Sequence, residues 1–306
     1  MEKKVVLVFP IFNKLEYTKK GLSYIYSCFD AKGSGIIPLD IVITDDGSSD
    51  GSYDWITANY PNINLLKGNG NLWWSGGINK AVHYALNHLE NEYVLLWNND
   101  IRPDKTYFSN LFEILKNNEP GTIVCSKIYI EHQKEVVLSM GGIFNPVSGD
   151  YMLNGYGQKD SSSLNKPVVV DWFPGMGTSI HRKIFDVVGF FDEKKFPQYH
   201  GDSDYGLRAR KAGFKITAYP QLKIWNDRTN TGYSNDASFV IFIKSLFTLK
   251  SNFNIFKDIA FYHRHATHIF AYKYLFKKYF KHIGGYIKWK IFSIFGKTRN
   301  RVISVK

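Results

Sequence analysis

Cysteine is scarce in this chain: its 306 residues contain two, Cys28 and Cys125. Two thiols cannot build a disulfide framework, so a reducing compartment is expected. No uncharged apolar run approaches the roughly 18 residues that cross a bilayer. The apolar stretch at residues 5–11 is short and runs straight into Asn13 and Lys14, which does not suit a signal peptide. A secreted protein, a transmembrane protein and a disulfide scaffold are therefore not expected. The first strand-to-helix turn, residues 9–13, has no glycine, which excludes a G-x-G-x-x-G dinucleotide site, and a Walker A loop is missing as well. His263, His265 and His268 lie among basic and aromatic residues without an H-E-x-x-H spacing, so a zinc site is not expected. No internal repeat is visible.

Acidic residues are nearly missing from one end. Residues 237–306 hold 14 Lys and Arg against a single acid, Asp258, whereas residues 1–236 hold 25 bases and 26 acids. The net charge of +12 thus belongs to the last 70 residues, which points to an anionic surface as their partner. At 44% hydrophobic residues the chain is too apolar for disorder and long enough to bury a substantial core.

The first half alternates strand and helix signals. Val5-Val6-Leu7-Val8-Phe9, Asp40-Ile41-Val42-Ile43-Thr44 and Tyr93-Val94-Leu95-Leu96-Trp97 are continuous apolar runs of the kind found in strands covered on both faces. A shorter strand is expected at residues 62–66. Helices are expected over 16–28 and from a Ser75 cap to about Leu89, with Ala81, Ala85 and Leu86 at helical spacing. Repeated β-α units favour a largely parallel sheet flanked by helices. Beyond about Lys116 the pattern loosens. Residues 150–167 read as a flexible surface loop, followed by helices at 182–188 and 202–212, the latter ended by Gly213.

Ligands of open α/β sheets sit beyond the carboxyl ends of the strands. Those ends carry Phe9-Pro10-Ile11-Phe12-Asn13, Asp45-Asp46-Gly47-Ser48, Gly68-Asn69-Gly70-Asn71 and Asn98-Asn99-Asp100. With residues 41–52, residues 68–79 and the block Phe190-Phe191-Asp192-Glu193 followed by Gly201-Asp202-Ser203-Asp204 and Arg208, this arrangement resembles the family 2 glycosyltransferases. These are inverting enzymes of the GT-A fold, and the likeness extends to their rhamnosyltransferase-like members in bacterial surface polysaccharide synthesis. It covers about residues 4 to 230 and rests on five motifs in order.

The resemblance implies a nucleotide-diphosphate sugar donor, UDP- or dTDP-linked, held by Pro10, Phe12, Asn13, Asp45, Asp46, Gly70, Asn71, Trp74, Gly77, Asn79 and Asn99. An acidic side chain can accept the imino N–H of a pyrimidine, and Asp46 is the candidate, with Asp45 orienting the turn. The alternative is that both aspartates only make Asx-turns. A divalent cation, Mg²⁺ or Mn²⁺, is implied at Asp100, with Asn226 or Asp227 standing where the family often has a histidine and Asp227 the candidate oxygen donor, and Asn98 replaces the first acid of the family's D-x-D. Asp202 matches the catalytic base, at a helix start whose dipole favours the ionised form, although an N-cap role fits the same residue. Trp172, Gly175, Asp204 and Arg208 fall on the acceptor side. Trp73, Trp74 and Trp172 suit either stacking on sugars or core packing.

A helix over residues 269–287 would place Lys273, Lys277, Lys281 and Lys288 in one arc. Leu275, Phe276, Tyr279, Phe280, Ile283, Tyr286 and Ile287 fall opposite. That pattern suits an interfacial helix on anionic lipid, or one packed against the rest of the protein. No nucleic-acid-binding signature accompanies it. The expected organisation is a catalytic domain at 1–236 and a basic membrane-associating extension at 237–306. Within the former, 1–116 would bind donor and 117–236 acceptor. The acceptor would be a glycan or polyprenyl-linked glycan, and the location the cytoplasmic face of the cell membrane. Competing readings are a nucleotidyltransferase that makes nucleotide sugars and a catalytically silent glycan- or membrane-binding module.

Overall fold

The structure is a computed structural model that describes residues 4–30, 35, 37–227 and 238–294, with the side chains of 293 and 294 excepted. In chain order the elements begin β1 (Val5–Ile11), α1 (Leu15–Ser27), β2 (Asp40–Asp45), α2 (Ser52–Asn59), β3 (Asn64–Lys67), α3 (Trp73–His88), β4 (Tyr93–Leu96), β5 (Ile101–Pro103) and α4 (Tyr107–Asn117). They continue with β6 (Thr122–Ile130), β7 (Gln133–Ser139), β8 (Gly142–Phe144), β9 (Tyr151–Leu153), β10 (Val168–Val169), β11 (Thr178–His181), α5 (Arg182–Val188), α6 (Gly201–Lys211) and β12 (Lys215–Asn226). The last three are α7 (Phe239–Ser245), α8 (Ile255–His265) and α9 (Ala271–Ile294).

The chain divides into two compact units, Met1–Gly142 with Leu153–Arg228, and Ile143–Met152 with Thr229–Lys306. In the first unit the main sheet runs β10-β12-β6-β11-β4-β1-β2-β3, with β5 and β7 added at its flank. The strands β4, β1, β2 and β3 are parallel, and the unbroken apolar runs of β4, β1 and β2 are buried, as expected where helices cover both faces. The other half is mixed: β11 lies antiparallel between β4 and β6, and β12 is parallel to β6. The helix α3 packs Ile78, Ala81, Val82 and Ala85 into the core beside Val6, Val8 and Val42. Its close approach depends on Gly77, where a Cβ would stand 2.6 Å from that of Pro10.

Two local expectations are corrected. Ser75 does not cap α3: it lies inside the helix, fully buried, and donates to the Phe196 carbonyl at 2.5 Å. Residues 150–167 are not a loose loop. They contain β9, a 3₁₀ turn at Ser162–Leu164, and Asp160, which pairs with the buried Lys127 and accepts from the Tyr129 hydroxyl at 2.6 Å.

The second unit joins the β8–β9 hairpin to the three C-terminal helices. Phe144 meets Phe261 edge-on, the Tyr262 hydroxyl donates to the Gly149 carbonyl at 2.7 Å, and Tyr274 donates to that of Tyr151 at 3.0 Å. Asp258 is fully buried, engaged by Lys278 and by the Tyr279 hydroxyl at 2.8 Å, and so fastens α8 to α9. The boundary expected at Asp236 and the basic residues beyond 294 lie outside the described residues.

Candidate active site

Three adjacent parallel strands, β4, β1 and β2, bring their carboxyl ends together. At the end of β1, Asn13 adopts a left-handed backbone with φ of 56°. Its N–H donates to Ser48 Oγ at 2.7 Å, and its Oδ1 accepts from the Ser49 N–H at 2.9 Å. The first turn is thereby locked to the turn after β2. Phe12 stands exposed beside it, and Pro10 is covered by Gly77 of α3.

The two aspartates of the second turn have separate roles. Asp46 is buried, with Oδ1 accepting from the Gly70 N–H at 2.8 Å and Oδ2 from the N–H groups of Leu72 and Trp73 at 2.9 and 3.1 Å. Its carboxylate caps α3 from a distance, which is why the helix starts at Trp73 without a local cap and Ser75 is released to the core. Asp45 spends Oδ1 on the Ser48 N–H at 2.8 Å, while its buried Oδ2 has no hydrogen-bond partner. The unoccupied acceptor therefore belongs to Asp45, whereas the sequence reading favoured Asp46. Asn71 lies in the same clamped loop and is exposed, its N–H donating to Asn69 Oδ1 at 2.9 Å.

At the end of β4, Asn98 Oδ1 accepts the Trp74 indole N–H at 3.0 Å, and Asn99 donates to Thr18 Oγ1 at 3.0 Å. Asp100 has a buried Oδ1 without a hydrogen-bond partner. Burial pushes its carboxyl up to about 6; the Asn226 amide and Lys14 pull it down, and the charge of Asp227 pushes it further up. The antiparallel pairing of β5 with β12 sets Asn226 opposite Ile101 and so delivers Asp227 next to Asp100. Asp227 also meets His132 Nε2 at 3.3 Å and the Tyr17 hydroxyl at 3.4 Å. Tyr17, Asn99, Asp100, Arg102 and Asp227 all line a cavity of about 40 Å³, room for one cation or a water. Among the described residues no group of three or more His, Cys, Asp or Glu side chains has an arrangement that would hold a metal ion by itself. Two carboxylates with an unsatisfied buried oxygen still fit Mg²⁺ or Mn²⁺, which commonly takes one or two carboxylates plus substrate phosphates and water.

On the other side Asp202 occupies the first turn of α6. Its Oδ2 accepts from the Gly175 N–H at 2.9 Å and its Oδ1 from the Ser203 N–H at 2.8 Å. A Cβ at Gly175 would overlap the Trp74 indole, so Gly175, Trp74, Asn98 and Asp202 form one connected group. Gln198 completes it, its Oε1 accepting from the Trp74 N–H at 3.2 Å.

Other sequence candidates are engaged within the protein itself. Asp204 is fully buried and bound by Arg208 Nε at 2.9 Å, and Arg208 donates to the Val188 and Phe190 carbonyls, both at 2.8 Å. Asn79 clamps Phe191 both ways, donating to its carbonyl at 2.9 Å and accepting from its N–H at 3.0 Å. Trp172 is buried against Gly142 and Gly206, which takes the core-packing option. Sequence reasoning did not single out Lys14, Tyr17 and Gln198. Lys14 directly follows the first turn and Tyr17 lies in the first turn of α1, but Gln198 carries no local signal.

A sheet of this order, with carboxylates at the ends of its parallel strands, defines a GT-A type fold. Residues 7–185 match the profile of Glycosyl transferase family 2, more than half of the chain, and the protein belongs to that family. It is a glycosyltransferase. It is 23% identical over 219 residues to the N-acetylglucosaminyl-diphospho-decaprenol L-rhamnosyltransferase of Mycobacterium tuberculosis, covering 66% of this chain and 70% of that protein. It is 25% identical over 180 residues to the low-salt glycan biosynthesis hexosyltransferase Agl10 of Haloferax volcanii, 58% of this chain and 55% of that one. Its fold is similar to that of mannosyltransferase PcManGT from Pyrobaculum calidifontis, crystallised with GDP-Man and Mn²⁺. That match has a TM-score of 0.53 and 15% identity over 89% of this chain and 68% of the other. GalNAc-T7 with UDP, GalNAc and Mn²⁺ gives 0.56 and 9% identity over 89% and 56%.

Proposed function

We propose that this glycosyltransferase moves a sugar from a nucleotide-diphosphate donor, UDP- or dTDP-linked, to a hydroxyl of a polyprenyl-linked glycan, with inversion, in building a bacterial surface polysaccharide. The observation that carries the donor site is the pair of buried, unpartnered carboxylate oxygens, Asp45 Oδ2 at the end of β2 and Asp100 Oδ1 just beyond β4, the two strands that flank β1. Unsatisfied buried acceptors are costly unless a ligand completes them. Asp45 accepts the imino N–H of the pyrimidine, and Asp46 holds the loop at 70–73 in place beside it. Asp100 and Asp227 would hold Mg²⁺ or Mn²⁺, which supplies positive charge against the leaving diphosphate.

Asp202 takes the proton of the acceptor hydroxyl as its oxygen attacks the anomeric carbon. The new C–O bond forms as the bond to the diphosphate breaks, and the nucleoside diphosphate leaves. Gly175 and Ser203 orient the carboxylate through their N–H groups. The rhamnosyltransferase relative, whose name carries a diphospho-decaprenol-linked sugar, supports a lipid-linked acceptor. The extension at 237–306 then keeps the enzyme at an anionic membrane face. No helix among the described residues is long and apolar enough to cross a membrane.

The test is to screen nucleotide sugars for thermal stabilisation and then identify the product. Release of nucleoside diphosphate with a glycosylated acceptor is expected. Release of pyrophosphate would instead mark a nucleotidyltransferase, and no turnover with any donor would favour a silent binding module.

A further inference from the structure

Sequence periodicity gives α9 one broad aromatic and aliphatic face, and the structure divides that face in two. Ala271, Leu275, Tyr279 and Tyr286 are buried within the second unit, none more than 8% exposed. Phe276 is 73% exposed, Phe280 67%, Ile287 53%, Ile291 49% and Ile283 41%. At about 100° per residue these five fall within an arc of about 80°, rotated roughly 120° from the buried stripe. Exposed Lys273, Lys277, Lys281 and Lys288 occupy the next arc, also about 80° wide. Lys278 is not among them, because it is engaged with Asp258. That aspartate is the one acid of residues 237–306 and is fully buried, so no carboxylate of this segment faces the lysine row.

The exposed stripe extends from Phe276 to Ile291, about 22 Å at 1.5 Å per residue. A row of large apolar side chains of that length, left in water, marks an interaction surface. The lysine row along one edge selects the partner: a continuous plane of phosphates meets it over its whole length. We propose that this stripe, and not the whole aromatic face, is the surface on which the protein lies on an anionic lipid bilayer. The five side chains enter the boundary between headgroups and acyl chains, and the lysines meet lipid phosphates at its edge. This rests on the membrane reading of the extension given above.

The experiment uses the full chain and vesicles of phosphatidylcholine with or without phosphatidylglycerol. Paired Phe276→Ser and Phe280→Ser changes should lower partitioning by about tenfold per ring removed, with thermal stability unchanged because both rings are already in water. Paired Lys277→Gln and Lys281→Gln changes should lower the preference for phosphatidylglycerol by about fivefold per lysine. If the wild-type chain binds and the phenylalanine pair binds equally well, the stripe is overturned while the membrane reading stands. If the wild-type chain binds neither vesicle, the membrane reading fails and takes the stripe with it. If sedimentation shows a dimer that the phenylalanine pair converts to monomer, the stripe is a contact between copies and the proposal is overturned.

Discussion

Asp100 offers a test in which folding and catalysis respond in opposite directions. Its carboxyl is raised from the ordinary 3.8 to about 6, chiefly by burial. A raised acid binds its proton more tightly in the folded chain, so stability is lost as pH climbs from about 4 to 6 and stays lower above that. At 1.36 kcal/mol per pH unit the full difference is about 3 kcal/mol, an upper bound because local relaxation and water penetration reduce it. Asp100→Asn removes the charge and keeps the shape. In EDTA at pH 8 the variant should therefore be more stable than the wild-type protein by about 1–3 kcal/mol. That corresponds to a Tm higher by roughly 2–5 °C for a chain of this size, with the gap closing near pH 4. Millimolar Mn²⁺ should then raise the Tm of the wild-type protein and leave the variant unmoved, because the cation offsets the ionised carboxylate only where one exists. Transfer activity should fall in the same variant. Differential scanning fluorimetry at pH 4, 6 and 8, with EDTA and with Mn²⁺, reads every arm. A variant less stable than wild type at pH 8 in EDTA, or an equal response of both proteins to Mn²⁺, would refute the reasoning.

The two aspartates of the second turn should separate cleanly. Asp46→Ala strands three backbone N–H groups and should cost about 3 kcal/mol in a denaturant titration, at roughly 1 kcal/mol each. Asp45→Asn keeps the acceptor for Ser48 and should leave the titration midpoint in place while weakening binding of the donor nucleotide about tenfold, as calorimetry would show. Asp202→Asn should lower kcat by about 10²- to 10⁴-fold with far smaller change in KM, and retention of full activity would remove the base assignment. Gly175→Ala drives a methyl into the Trp74 indole. Its activity should fall with a shift in tryptophan emission, and an unaltered spectrum would mean the ring has room.

The strands β1, β2 and β4 were legible because burial on both faces leaves a local mark, an unbroken apolar run. Their ends then placed Asp45, Asp46 and Asp100 without any tertiary information. The helices α5 and α6 were equally plain, the latter closed by Gly213 at φ of 92°. The role of Asp46 was not legible, since it depends on three amides 24 to 27 residues away folding beneath it. Ser75 misled for the same reason: a distant carboxylate had already capped its helix. The insertion of β11 between β4 and β6 leaves no trace in periodicity, because antiparallel neighbours are chosen by topology. For α9, periodicity gave the angular position of every side chain, but only packing tells which aromatics meet protein and which do not.

The β8–β9 hairpin belongs with helices that follow it by about a hundred residues in the chain. At ordinary elongation rates of about 5–20 residues per second, Phe144 and Tyr151 leave the ribosome some 5–20 s before α8 arrives to cover them. A nascent chain thus carries an uncovered apolar hairpin through the middle of its synthesis, exposed to chaperones and to self-association. A gene cut near codon 236 would make that interval permanent. Products shortened there should be recovered poorly for reasons unrelated to lipid, so single substitutions are the sounder way to ask what the last helices do.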